Sequence, residues 1–131
     1  MGAWGIGHFE NDDAGDWVFE LEDTKSLDPV KSAFAAVDES GDYLESPDAS
    51  AALAAAEIIA AIRGNPASDL PESVASIIDD LGAAVHGDLA AKAISVVEKV
   101  KSGSELRELW EETDDFAEWL SKVDDLLQRL Q

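Results

Sequence analysis

The chain has 131 residues, 46% of them hydrophobic, and its 29 acidic against nine basic side chains give a formal net charge of −20. This length fits a single domain, residues 1–131, with enough apolar material for a core. The absence of cysteine excludes disulfides, thiolate nucleophiles and cysteine metal sites. The negative charge disfavours direct binding to nucleic acid or to an anionic membrane.

Three interpretations of the acidity stay open: solubility or a salt-rich cytoplasm, a basic protein partner, and binding of a hard cation. The sequence contains no apolar run long enough for a membrane span and no secretory pattern at its start. Ile6 occupies the position where a myristoylation signal needs Ser or Thr. We therefore expect a cytoplasmic protein.

Apolar residues recur at helical spacing almost throughout, and the alternation typical of strands is missing. The predicted helices are residues 12–22, a second from Asp28-Pro29 to Ser40-Gly41, a third from Ser46-Pro47 to Gly64, a fourth from near Asp69-Leu70-Pro71 through Leu81, a fifth capped by Asp88 and ending at Ser102-Gly103, a sixth from Ser104 and a last one from Asp115. Asn11 is the predicted N-cap of the first helix, and Asp115 with Glu118 has the spacing of a capping box. We expect an all-α single domain of about seven short helices, either a bundle or stacked helical hairpins.

The opening stretch, MGAWGIGHFENDDAGDW, is rich in glycine and aromatic residues. Gly5 and Gly7 lack the remaining features of a dinucleotide or P-loop motif, so we interpret them as turn residues. They allow Trp4 and Phe9 to pack against the core, together with Trp17 of the first helix. The prediction is that both tryptophans are buried and that the Asn11 side chain accepts from a backbone N–H.

Potential cation ligands cluster in the same stretch: His8, Glu10, Asn11, Asp12, Asp13 and Asp16. No single helix face gathers them, and neither this cluster nor DESGDYLE fits the calcium loop of an EF-hand. Helix caps and solvated faces explain both, so no metal and no cofactor are predicted. His86-Gly87-Asp88 is a candidate general-base pair, but no motif marks a nucleophile and catalytic residues remain unknown.

Glu57 is an isolated charge in the alanine-rich stretch ALAAAEIIAAIRG. Small residues surround it on the helical wheel, so a neighbouring helix could approach closely and bury it. A buried carboxylate needs a partner, and the candidates are Arg63, Arg107 or a tryptophan indole. The alternative is that Glu57 faces solvent.

The first 21 residues, MGAWGIGHFENDDAGDWVFEL, closely resemble the start of a bacterial family known as domain of unknown function 4259. Two further blocks are similar to that family: YLESPDASAALAAAEIIAAIRGNP, and SELRELWEE with EWLSKVDDLLQRL after it. The positions that match the family's pattern are Gly2, Trp4, Gly5, Gly7, Phe9, Asn11, Asp12, Asp16, Trp17, Tyr43, Glu57, Glu105, Leu106, Trp110 and Trp119. The resemblance implies a small bacterial helical domain in which these motif residues are structural, and it implies no activity.

Two functions compete on these grounds. The first is a non-enzymatic acidic interaction module, of inhibitor, immunity or regulatory type, acting on a basic protein partner. The alternative is a carboxylate-based metal-dependent enzyme or cation-binding protein that uses Glu57 and the residues from Asn11 to Asp16. We expect a monomer or a weak homodimer, the latter through the apolar face of the last helix.

Overall fold

The computed structural model describes residues 7–81 and 87–131 of the chain. Within these ranges the backbone forms seven α-helices and no β-strand, which confirms the predicted all-α class. The helices are α1 (Asp12–Thr24), α2 (Asp28–Glu39), α3 (Ser46–Ile62), α4 (Glu72–Leu81), α5 (Gly87–Ser102), α6 (Glu105–Glu111) and α7 (Phe116–Leu130). None of these helices combines the length and the apolar character that crossing a bilayer requires.

Helix α3 is the centre of the fold, because it contacts all six other helices. Every residue from 49 to 60 except Ala51 is buried, so this helix has almost no solvent face. Six of these buried residues are alanines, whose small side chains let neighbouring helices approach closely on several sides at once. The alanine-rich sequence therefore places Glu57 inside the domain.

Two tryptophans attach the outer helices to this centre. Trp17 of α1 is buried, and its indole Nε1 donates a hydrogen bond to the carbonyl of Pro29 over 3.2 Å, which joins α1 to α2. Trp119 of α7 is fully buried and stacks on Trp110 of α6, with 6.5 Å between ring centroids and 14° between planes. Because α7 uses its apolar face in the core, that face is already occupied within the domain.

Local capping agrees with the sequence at two helices. The Asn11 Oδ1 accepts from the backbone N–H of Ala14 over 2.8 Å, and Ser104 accepts in the same way from Arg107 over 3.1 Å. The predicted capping box of α7 is wrong, since the Asp115 side chain makes no cap hydrogen bond. Asp115 has φ −96° and ψ 7°, whereas Asn11 is extended at −153° and 159°, and only the extended backbone points a side chain back at the first turn.

Three other helix starts differ from the sequence pattern, which predicts Asp28, Ser46 and Asp88 as N-caps. The N-cap of α3 is Glu45, and Ser46 is the first residue of the helix. Leu27 rather than Asp28 occupies the N-cap of α2, with Pro29 in the first turn. Helix α5 begins at Gly87, so Asp88 lies within its first turn rather than capping it. At α2 and α5 the carboxylate sits near the positive end of the helix dipole, where it remains favourable without a cap bond.

Gly64 ends α3 as predicted. Its φ of +93° is left-handed, a conformation that glycine adopts without steric cost. The N–H of Gly64 bonds to the carbonyl of Ala61, and the N–H of Asn65 bonds to the carbonyl of Ala60. This pair of bonds is a Schellman motif, and it directs the chain sideways toward α7.

Candidate functional site

A buried ion pair joins the middle of α3 to the last turn of α7. Oε1 of Glu57 lies 2.6 Å from Nη2 of Arg129, and only 4% of the Glu57 side chain and 16% of the Arg129 side chain are exposed. The Nε of Arg129 also binds Oδ2 of Asp125, one turn earlier, over 2.8 Å. The solvent-facing interpretation of Glu57 is therefore wrong. Arg63, Arg107 and an indole are also wrong as its partner, because α7 brings Arg129 to it instead.

The electrostatics of this pair follow from its depth. Burial raises the pKa of Glu57, and the charge and hydrogen bond of Arg129 counteract part of that effect. Burial disfavours the charge of Arg129 too, but Glu57 and Asp125 outweigh it and raise the pKa of the guanidinium. Two further hydrogen bonds, between Asn65 and Arg129, hold the end of α3 against the last turn of α7. The guanidinium is thus fixed from several directions.

His8 lies beside this pair and is only 6% exposed. Its Nε2 is buried and has no hydrogen-bond partner among the described residues. Burial lowers the pKa of the imidazole to about 4; the backbone of Lys122 opposes this shift, and the positive charges of Arg129 and Lys122 add to it. His8 is therefore a neutral imidazole at physiological pH, which sequence reasoning missed because no pattern marks a lone histidine as buried.

Glu57 and His8 both line one cleft, of about 390 Å³, between α3 and the segments that precede α1 and α4. The lining residues are Gly7, His8, Phe9, Glu10, Glu57, Asp69 and Pro71. Its rim is acidic, and Oδ2 of Asp69 is bound to Nζ of Lys122 over 3.2 Å. The cleft therefore presents carboxylate oxygens and a neutral imidazole, and its lining includes no cationic side chain.

The predicted cation ligands at the N-terminus do not converge on one point. Oε1 of Glu10 accepts from the backbone N–H of Gly7 over 3.1 Å, Asn11 caps α1, and Asp12 and Asp16 point to solvent. In the described part of the chain, no three His, Asp or Glu side chains are arranged to hold a metal ion. The cluster is therefore an assembly of helix-start contacts rather than a formed metal centre.

The motif residues of the resemblance fall into several groups. Gly2, Trp4 and Gly5 lie outside the described residues, as does His86 of the candidate general-base pair. Phe9 is partly buried against the core, and Trp17 is buried in it. Trp110 and Trp119 form the stacked pair between α6 and α7.

Tyr43 and Glu105, 62 residues apart, meet at the start of α3. The Tyr43 hydroxyl donates to Oε2 of Glu105 over 3.0 Å, and the N–H of Ser46 donates to Oε1 over 2.8 Å. The Ser46 N–H, and after it the Tyr43 hydroxyl, lower the pKa of Glu105. Glu105 thereby supplies the acceptor that the first turn of α3 lacks, since the Glu45 N-cap makes no side-chain cap bond.

The outer face of α1 combines negative charge with an exposed aromatic ring. The helix has six acidic residues and no basic one: Asp12, Asp13, Asp16, Glu20, Glu22 and Asp23. No salt bridge of the described residues uses any of them. Phe19 stands among them with 72% of its surface exposed, off the stripe of Ala14, Trp17 and Leu21 that faces the core. Five of the six are exposed, whereas Asp13 is half-buried and lines a cavity with His8 and Trp119. We call the surface of Phe19 and the five exposed acids the acidic α1 face.

A shallow groove of about 290 Å³ runs between the acidic α1 face and α4. Phe9, Val18, Phe19, Pro71 and Val74 supply its apolar walls. Phe9 and Pro71 also line the Glu57–His8 cleft, so the groove and the cleft adjoin each other. Sequence reasoning missed this groove, although a phenylalanine outside the apolar stripe is a signal for it.

Comparison with known proteins identifies the family but adds no activity. The family model described as domain of unknown function (DUF4259) matches residues 2–122. The matched segment includes His8 and Glu57 and ends before Asp125 and Arg129. Neither a curated protein nor a solved structure matches the chain. Because the family model covers most of its length, the chain belongs to the family of this domain of unknown function, DUF4259.

Proposed function

We propose that this chain is a non-enzymatic, acidic protein-interaction domain of the cytoplasm, acting as an inhibitor, immunity-type or regulatory protein on a basic partner. The observation that carries the proposal is the acidic α1 face, where an exposed phenylalanine stands among five exposed acidic side chains that form no salt bridge with the described residues. Exposed aromatic side chains are typical anchors of protein interfaces, and charge around them sets the choice of partner.

The distribution of charge supports a dedicated surface rather than uniform solubility. The six salt bridges of the described residues engage five of the nine basic side chains, and all five lie on α5, α6 or α7. Positive charge is thus concentrated on one half of the domain and is largely neutralised there. On α1 none of the acidic residues takes part in a salt bridge of the described residues, so their charge is left to act on a partner.

The groove beside Phe19 gives such a partner a place for an apolar side chain. Its walls come from α1, from α4 and from the segments before them, and Glu22 stands at its edge. A partner segment that carries basic and apolar side chains together would therefore match both the charge and the shape of this surface. An acidic or uncharged segment would match only the groove.

The test is affinity capture from a lysate of the source organism on four immobilised proteins, at low and at high salt: the wild type, an α1 variant, a control variant and Phe19→Ser. The α1 variant carries Asp16→Asn, Glu20→Gln and Asp23→Asn, and the control variant carries the same type of changes at exposed acids elsewhere, Asp42→Asn, Glu98→Gln and Asp114→Asn. We expect the wild type and the control to retain the same basic protein at low salt. The α1 variant, and separately Phe19→Ser, should lose it.

Two results would refute the proposal. Equal retention by the α1 variant and the control would show that the α1 face does not choose the partner. Retained proteins that are acidic, or whose binding does not change with salt, would remove the electrostatic argument.

A further inference from the structure

The Glu57–His8 cleft contains two nitrogen or oxygen atoms that no hydrogen bond of the described residues engages. Arg129 engages Oε1 of Glu57, while Oε2 accepts no hydrogen bond from the described residues. Nε2 of His8 is likewise without a partner. A buried polar atom without a partner costs free energy, so Nε2 of His8 indicates a ligand that supplies a donor, and Oε2 of Glu57 lies in the same cleft.

The sign of the ligand's charge follows from the rest of the lining. Glu10 and Asp69 stand at the rim with Glu57 between them, and no lysine or arginine lines the cleft. Arg129 and Lys122 are each already bound to a carboxylate. Glu10 is the acid of this lining that no basic side chain of the described residues pairs with, so its charge repels an anion and attracts a cation.

The number of hydrogen-bond donors on the ligand limits which cations fit the cleft. A neutral imidazole with its proton on Nδ1 accepts at Nε2, and the carboxylate of Glu57 offers a second acceptor in the same cleft, so a ligand with two or more donors can serve both. A guanidinium carries five N–H donors and an ammonium three. A divalent metal instead needs several oxygen ligands around one point, and no three candidate side chains of the described residues converge in that way.

We propose that this cleft receives the cationic head of an arginine or lysine side chain from the basic partner, held by Oε2 of Glu57 and Nε2 of His8. The inference rests on the proposed function, because it names how that partner is held. The cleft and the Phe19 groove share Phe9 and Pro71. One short segment of the partner can therefore place a basic side chain in the cleft and an apolar one in the groove.

The probes are two amidated peptides, tetra-arginine and tetra-lysine, titrated near neutral pH and at low salt into isotope-labelled protein. The readout is the imidazole nitrogen resonance of His8, which reports a new hydrogen bond at Nε2. We expect a saturable shift with at least one peptide, and the tighter of the two identifies the side chain. In Glu57→Gln the affinity should fall about tenfold or more, the usual effect of losing a charged hydrogen bond.

Glu98→Gln is the matched control, since it makes the same chemical change at an exposed residue of α5. Its affinity should stay within about twofold of the wild type, because a distant exposed charge is screened. If Glu57→Gln does not fold, the double variant Glu10→Gln/Asp69→Asn tests the rim instead. It should weaken binding several-fold while the circular dichroism spectrum is unchanged.

Three outcomes would overturn the inference. In the first, the peptide shifts the resonances of other residues but not those of His8, or Glu57→Gln and Glu98→Gln weaken its binding equally. The cation then binds elsewhere, and the proposed function is unaffected. Magnesium, calcium, manganese or zinc ions that shift His8 when neither peptide does would make the cleft a metal site. Absence of peptide binding while lysate capture succeeds would separate the partner from this cleft.

Discussion

The buried histidine makes the stability of this protein sensitive to acid in a way that one substitution isolates. The imidazole of His8 has a pKa of about 4 in the folded protein against 6.5 in an unperturbed histidine. Between these pH values the unfolded chain binds a proton that the folded protein does not. The contribution of His8 is therefore fully present above pH 6.5 and is lost as the pH falls toward 4.

The size of the effect follows from the two pKa values. Each pKa unit corresponds to about 1.4 kcal/mol, so acidification from about pH 7.5 to about pH 4 should remove about 3 kcal/mol through His8 alone. Carboxylates also titrate in this range, but they are present in both wild type and His8→Gln, so their contribution cancels when the two unfolding free energies are subtracted. The difference in unfolding free energy between wild type and His8→Gln should therefore fall by about 3 kcal/mol over this range.

Urea unfolding, followed by the fluorescence of the four tryptophans, measures this difference at each pH. Ser50→Ala is the control, because it removes a buried polar side chain that does not titrate, and it should parallel the wild type. A difference between wild type and His8→Gln that stays constant with pH would refute the reasoning. So would an NMR titration of the folded protein in which His8 changes charge near pH 6.5.

Two further predictions concern the ion pair and the end of α3. Arg129→Met leaves the Glu57 carboxylate buried without its partner and should lower the unfolding free energy by about 3 kcal/mol. The double variant Arg129→Met/Glu57→Gln should recover part of that loss. If urea unfolding shows that the two substitutions lower stability additively, the pairing is contradicted. Gly64→Ala should cost about 1 kcal/mol because its φ of +93° is left-handed, while Gly103→Ala, where an added Cβ meets no atom within 4 Å, should cost no stability. Thermal unfolding compares the two glycine variants, and equal losses would show that the backbone conformation at Gly64 is not the cause.

Whether a feature can be predicted from the sequence depends on how far apart along the chain the residues that determine it lie. The helices and the caps at Asn11 and Ser104 follow from neighbours within one or two turns, and these predictions hold. The capping box at Asp115 fails even at short range, because spacing alone does not fix the backbone angles of the capping residue.

The candidate site is determined at long range. Glu57 and Arg129 are separated by 72 residues, and no local pattern selects Arg129 over the nearer Arg63. The burial of His8 depends likewise on α7, which follows it by more than a hundred residues. The alanine-rich surroundings of Glu57 made its burial conceivable, but only the packing of α7 on α3 supplies its partner.

The central position of α3 has a consequence for the order in which the protein is made. A ribosome synthesises α3 before α5, α6 and α7, yet all three cover it in the folded domain. During that interval the alanine- and isoleucine-rich helix has only α1, α2 and α4 to cover it, and Glu57 has no Arg129 to pair with. The nascent chain therefore passes through a stage at which its most apolar segment is open to chaperones or to other nascent chains. Arrival of the last turn of α7 ends that exposure.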